Sequence, residues 1–180
     1  MRILHPFITQ SLNIMFTPNH LSVLGIIHTA ISILAILVAF AALFRYGKID
    51  PFTGMGKLYI WLTVITCLTG FPIMRFGHPT PGHYLGVIIL VLLAIAILGK
   101  RFGVFGRAAD FVQVILLSTT LFLSCIPAIV ESLTRLPMDH PLASGPDDPL
   151  LQKAQLILLV VFIAGVIYQV IKLRKAKKLA

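Results

Sequence analysis

Residues 21–44 read LSVLGIIHTAISILAILVAFAALF, a continuous apolar run with a single ionisable side chain, His28, set inside it. As a helix rising ~1.5 Å per residue it would be ~36 Å long, enough to cross a ~30 Å hydrocarbon core with some tilt. At helical spacing Leu21, Gly25, His28, Ser32, Ala35, Ala39 and Ala42 fall on one stripe, and the large side chains Ile26, Ile27, Ile33, Leu34, Leu37 and Phe40 fall elsewhere. Small residues let a neighbouring backbone approach closely, so this stripe is expected to face protein and the bulky residues lipid. His28 is therefore expected to point into a helical bundle.

Working outward, similar runs recur. Spans are expected at about 21–44, 58–76, 83–99, 108–130 and 150–171, with Pro72 in the last third of the second and Pro127 near the end of the fourth. Ahead of them, residues 1–18 place Ile3, Leu4, Phe7, Ile8, Leu12, Met15 and Phe16 at helical spacing among polar residues. This pattern predicts an amphipathic helix lying at the membrane surface. The fold class is thus all-α: a polytopic membrane bundle of about five spans over residues 19–172, with a basic tail at 173–180. A chain of 180 residues that is 58% hydrophobic and only 12% charged has too much apolar sequence for a water-soluble domain of its size.

A formal charge of +9 would point a soluble protein toward nucleic acid, but here the cations follow the membrane. The 45–57 loop, the 100–107 loop and the C-terminal tail hold eleven Lys and Arg, whereas the opposite ends of the spans hold four: Arg2, Arg75, Arg135 and Lys153. By the positive-inside rule the N-terminus lies outside and the C-terminus in the cytoplasm, so no nucleic-acid partner is required. The same topology puts His5, His20, His28, His78, His83 and His140 in the outer half. Cys67 and Cys125, both within apolar runs, read as small buried hydrophobes and not as a disulfide.

Four uses of these residues are open, one of them a quinone or lipid head group held beside Arg75, His78 and Tyr84, where simple interfacial anchoring is the plainer reading. A b-type haem needs two neutral imidazoles between helices with small residues to admit the macrocycle, for which His28 and His83 are the candidates. A surface metal site could draw on His78, His83, His140 and Asp139. The bland use is packing, with Gly25, Ser32, Ala35 and Ala39 on the first span and Gly82 and Gly86 on the third taking neighbouring helices. Protease and hydrolase motifs are absent, and no span centre carries paired charges, which argues against ion-coupled transport. Asp110, close to Arg107, is expected to stabilise the N-terminus of the fourth span.

The inward-facing His28, the stretch GMGKLYIWLTVITCLTGFPI at 54–73 with Gly56, Lys57 and Tyr59, and the opening HYLGVIIL of the third span go together. Over residues 20–130 the chain resembles a family of small bacterial membrane proteins with no assigned function. That resemblance implies a multi-pass protein of the bacterial cytoplasmic membrane and supplies no activity. The sequence expectation is a non-catalytic membrane subunit or accessory protein whose partners are the lipid bilayer and the helices of a larger complex. Its alternative is a haem- or metal-binding electron carrier built on the outer histidines.

Overall fold

A computed structural model of the chain describes residues 22–73, 77–137 and 139–178. The amphipathic segment expected at 1–18, together with His5, His20 and Arg75, lies outside the described residues. The described chain is helical throughout, with α1 at Val23–Tyr46, α2 at Gly54–Gly70, α3 at Pro81–Arg101, α4 at Ala109–Arg135 preceded by a 3₁₀ turn at Gly106–Ala108, and α5 at Pro149–Lys178. Four of these helices are long and apolar enough to cross a membrane. The protein is a multi-pass membrane protein whose apolar flanks meet lipid. α4 is the hub, touching α1, α3 and α5, and α2 lies between α1 and α3.

Local chemistry sets each helix end. Ser22 accepts from the Gly25 amide at 3.1 Å and starts α1. Gly47 stops it in the left-handed region, φ 73°, where a Cβ would be strained, and returns its N–H to the Leu43 carbonyl at 2.8 Å. α5 opens with Pro149 behind Asp148, whose carboxylate accepts from Leu150 N at 2.8 Å and Ser144 N at 2.9 Å. Its last turns continue straight through the basic residues expected to form a separate tail from 173.

The second span differs most from expectation. α2 begins at Gly54, where 58 was expected, because Thr53 caps it, accepting from the Gly56 amide at 3.1 Å and donating to the Asp50 carbonyl at 2.8 Å. It ends at Gly70, so Pro72 lies beyond the helix and does not kink it. At 17 residues α2 is ~25 Å long, near the lower limit for a span. The 45–57 loop is also less solvated than its composition implies, since Ile49 is 1% exposed and folds back under the first turn of α2.

That tight turn is pinned by Asp50, whose carboxylate meets the Lys48 ammonium at 2.9 Å and accepts from Phe52 N at 3.0 Å. Partial burial of Asp50 raises its pKa, but the Lys48 hydrogen bond and charge and the Phe52 amide outweigh burial, and the net displacement is downward. A depressed carboxylate contributes stability above its unfolded pKa and loses it as pH falls through the folded value, so the contribution is complete at neutral pH and fades below about pH 4. Thermal unfolding in detergent should therefore show an acid-side fall in melting temperature that is shallower in Asp50→Asn. An identical pH profile in that variant would remove Asp50 from the account.

The core follows the small-residue stripe. Gly25, Ala35, Ala39 and Ala42 are the buried residues of α1, whereas Ile26, Ile27, Ile33, Leu34, Leu37 and Phe40 are exposed. Cys67 and Cys125 are free thiols within the same core, which also contains Tyr59, Ile89, Leu93, Leu117 and Leu121.

Candidate functional site

The polar side chains inside the bundle form three levels. At the outer level, His28 is half-buried against the last turn of α2, where a Cβ on Gly70 would come within 3.0 Å of the imidazole Cε1. Its Nδ1 lies 3.2 Å from Thr69 Oγ1. Thr69 Oγ1 also lies 2.8 Å from the Ile65 carbonyl and 3.1 Å from the Thr66 carbonyl, so its one proton goes to backbone and its oxygen is placed to accept from Nδ1–H. Nearby, the Thr66 hydroxyl is the buried side-chain polar atom among the described residues that has no hydrogen-bond partner.

His83 stands on the other flank of the same helix end. Its Nδ1 accepts from the Thr80 amide at 3.0 Å and from the Thr80 hydroxyl at 2.9 Å, closing a capping box at the start of α3. Its Nε2–H donates to the Phe71 carbonyl at 3.1 Å. That carbonyl is one of the orphan acceptors at the end of α2, so His83 caps two helices at once.

This arrangement does not fit bis-imidazole ligation of a haem by His28 and His83. The two do approach the same turn of α2, closer than their depths in sequence imply, but both nitrogens of His83 are engaged by protein and neither offers a lone pair to iron. Nor do the surface candidates gather. His78 is exposed, with Nδ1 3.1 Å from the Pro79 carbonyl, and His140 and Asp139 are exposed on the segment between α4 and α5. Among the described residues no three His, Cys, Asp or Glu side chains come together as a metal site.

Compared with family models, curated proteins and solved structures, the chain matches none. Its chemistry is therefore read from the remaining geometry.

At mid-depth the polar groups join helices. Tyr59 of α2, 0% exposed, places its hydroxyl 2.8 Å from Thr120 Oγ1 of α4. The Thr120 proton goes to the Leu117 carbonyl at 2.8 Å, which makes Tyr59 the donor between helices. Ser118 of α4 donates to Gln169 Oε1 of α5 at 2.7 Å, with both side chains buried. Such inter-helix bonds in membranes average ~0.6 kcal/mol each, enough to fix register but not to hold the bundle alone.

At the basic end, Asp110 stands in the first turn of α4, as expected, and also reaches two other helices. It pairs with Lys100 of α3 at 2.8 Å and Lys177 of α5 at 2.6 Å, tying three helices. Lys100 also donates to Gln113 Oε1 at 3.2 Å, and Gln113 Nε2 donates to the Ala96 carbonyl at 3.0 Å. The intended packing glycines divide. A Cβ on Gly86 would lie 3.5 Å from the Phe71 ring and 4.0 Å from Cys67, while Gly82, one turn earlier, is exposed and a Cβ there would meet only its own Thr80. Ser32 is half-buried and bonds within its own helix, to the Thr29 carbonyl.

The residues that sequence reasoning missed are Tyr59, Thr120, Gln113, Gln169 and the Asp110 cluster. The available signal was two glutamines set among the apolar residues of α4 and α5, since a buried amide requires a partner.

Proposed function

We propose that this chain is a non-catalytic subunit or accessory protein of a larger membrane complex in a bacterial cytoplasmic membrane, with its N-terminal side outside and its C-terminal end cytoplasmic. The observation that carries this reading is the use of the interior polar side chains. His83, Tyr59, Gln113, Ser118 and Gln169 are engaged in joining one helix to another. A molecule organised in this way is a scaffold. The breadth of its free surface supports a docking role, because α5 buries only Leu151 and Gln169 over 30 residues and packs chiefly on α4. The orientation rests on the grouping of the eleven Lys and Arg with the loop at 45–57, the loop at 100–107 and the end of α5, which meet at one end of the bundle through the Lys100–Asp110–Lys177 cluster and the approach of Lys172 to Gly47.

Extracted from its native membrane in a mild detergent, the affinity-tagged chain should migrate on a native gel within a larger assembly. Migration as a bare monomer would sink the reading. Labelling with a membrane-impermeant maleimide should reach Ser144→Cys from outside and Lys178→Cys only after the membrane is opened. The reverse pattern would invert the proposed topology.

A further inference from the structure

Between the end of α1 and the last turns of α5 lies a cleft of about 150 Å³, lined by Tyr46, Gly47, Lys48, Val114, Gln169 and Lys172 among others. At ~30 Å³ per water it has room for about five waters or one small polyatomic group. Its polar lining is made of donors. Lys172 reaches across to α1, where its ammonium would lie 2.8 Å from a Cβ on Gly47, and it rests 5.9 Å from the ring centroid of Tyr168. Among the described residues no carboxylate pairs with it. Gln169 is 7% exposed, and its amide oxygen is occupied by the Ser118 hydroxyl, so the group it has left for the cleft is its NH₂. Lys48 supplies a second ammonium, shared on its far side with Asp50.

From this geometry we infer that the cleft binds a phosphate group, and that its ligand is the head group of an anionic phospholipid. A nearly buried amide on α5 and two lysines, one on α5 and one on the turn after α1, line a single cleft. An anion with several oxygens can accept from the amide and from both ammonium groups at once. The depth of the cleft selects the lipid source. It opens beside Tyr46 and Tyr168, aromatic residues of the type that sit at head-group level, and the exposed Phe44 and Ile167, each preceding its tyrosine on the same two helices, belong to the hydrocarbon side. A basic pocket between helices at the cytoplasmic face is a recurrent lipid head-group site. The ammonium of Lys172 also meets the negative end of α1, which explains its position but not the second lysine or the amide. The inference stands whether or not the chain joins a complex.

The test uses the full chain in a zwitterionic detergent, with binding read by native mass spectrometry and by melting temperature. Phosphatidylglycerol should bind and raise the melting temperature, and phosphatidylcholine should do neither. Lys48→Gln and Lys172→Gln should each weaken phosphatidylglycerol binding roughly fivefold, whereas Lys175→Gln, on the same end but outside the cleft, should leave it unchanged. Equal binding of the two lipids, or equal losses in all three variants, would overturn the site. Millimolar inorganic phosphate separates the sources: no rise in melting temperature supports the lipid head group, while a rise that Lys172→Gln abolishes would keep the phosphate site and overturn its lipid assignment. If either variant fails to fold, a phosphatidylglycerol carrying a photoreactive head group decides the matter on the unmodified chain. Cross-links at Tyr46–Lys48 and Gln169–Leu173 support the proposal, and cross-links confined to other segments overturn it.

Discussion

Gly56→Ala leaves little folded protein. A Cβ at this position would fall inside the contact distance of the Asp50 carbonyl oxygen, 2.5 Å from the carbonyl carbon and 3.2 Å from the Asp50 nitrogen. These are backbone atoms of a turn held by Thr53, Lys48 and the Phe52 amide, so no side chain can rotate away to make room. The first turn of α2 and the buried Ile49 must separate, at a cost of about 3 kcal/mol or more, the upper end of what overpacking does in close-packed interiors. Gly54→Ala, two residues earlier, meets nothing within 4 Å and should be neutral or slightly stabilising, because alanine loses less backbone entropy in a helix. Reversible unfolding in mixed micelles would compare the pair. Equal stability of the two variants would mean that the turn does not sit where it is described.

Tyr59→Ala should be nearly as damaging, whereas Tyr59→Phe should be mild. The ring is fully buried where α2 meets α4, beside Cys67 and Leu117 in the core. Removing it leaves a cavity that neighbouring helices cannot close without moving apart, which costs about 3–5 kcal/mol. Phenylalanine keeps the volume and gives up only the bond to Thr120. Thr120 retains its own bond to Leu117, so no buried donor is stranded and the loss should be about 0.6 kcal/mol. Thr120→Val alone should cost more than Tyr59→Phe, since it strands the phenol proton, and the double variant should recover part of that difference. If Tyr59→Phe were as harmful as Tyr59→Ala, the hydroxyl and not the ring would carry the packing.

His83 illustrates why the candidate site was only partly legible. Its position at the mouth of a span was readable, as was its proximity to an interruption in the previous helix at Pro72. Its role depends on the Phe71 carbonyl, which becomes an orphan acceptor because α2 ends at Gly70, ahead of Pro72. Local capping chemistry moved the helix by several residues, and hydropathy alone does not respond to a single hydroxyl. His28 was read more closely: a side chain on a small-residue stripe does meet a threonine across the helix interface. Asp110 is expected from sequence to serve the N-terminus of its own helix, but its two lysines come from α3 and α5, the helices before and after it in the chain.

What sequence determined by itself was the solvent this chain belongs to. Runs of apolar residues longer than a bilayer is thick, with small residues on one stripe of the first, require a helical bundle in lipid, because only internally bonded backbone survives there. Which polar groups meet inside that bundle was decided by tertiary structure. Tyr59 and Thr120 lie 61 positions apart, Ser118 and Gln169 51, and the basic cleft joins residue 48 to residue 172. Periodicity fixes which face of a helix is buried. It says nothing of which helix lies opposite, and in hydrocarbon a polar side chain acquires its meaning from the partner it finds there.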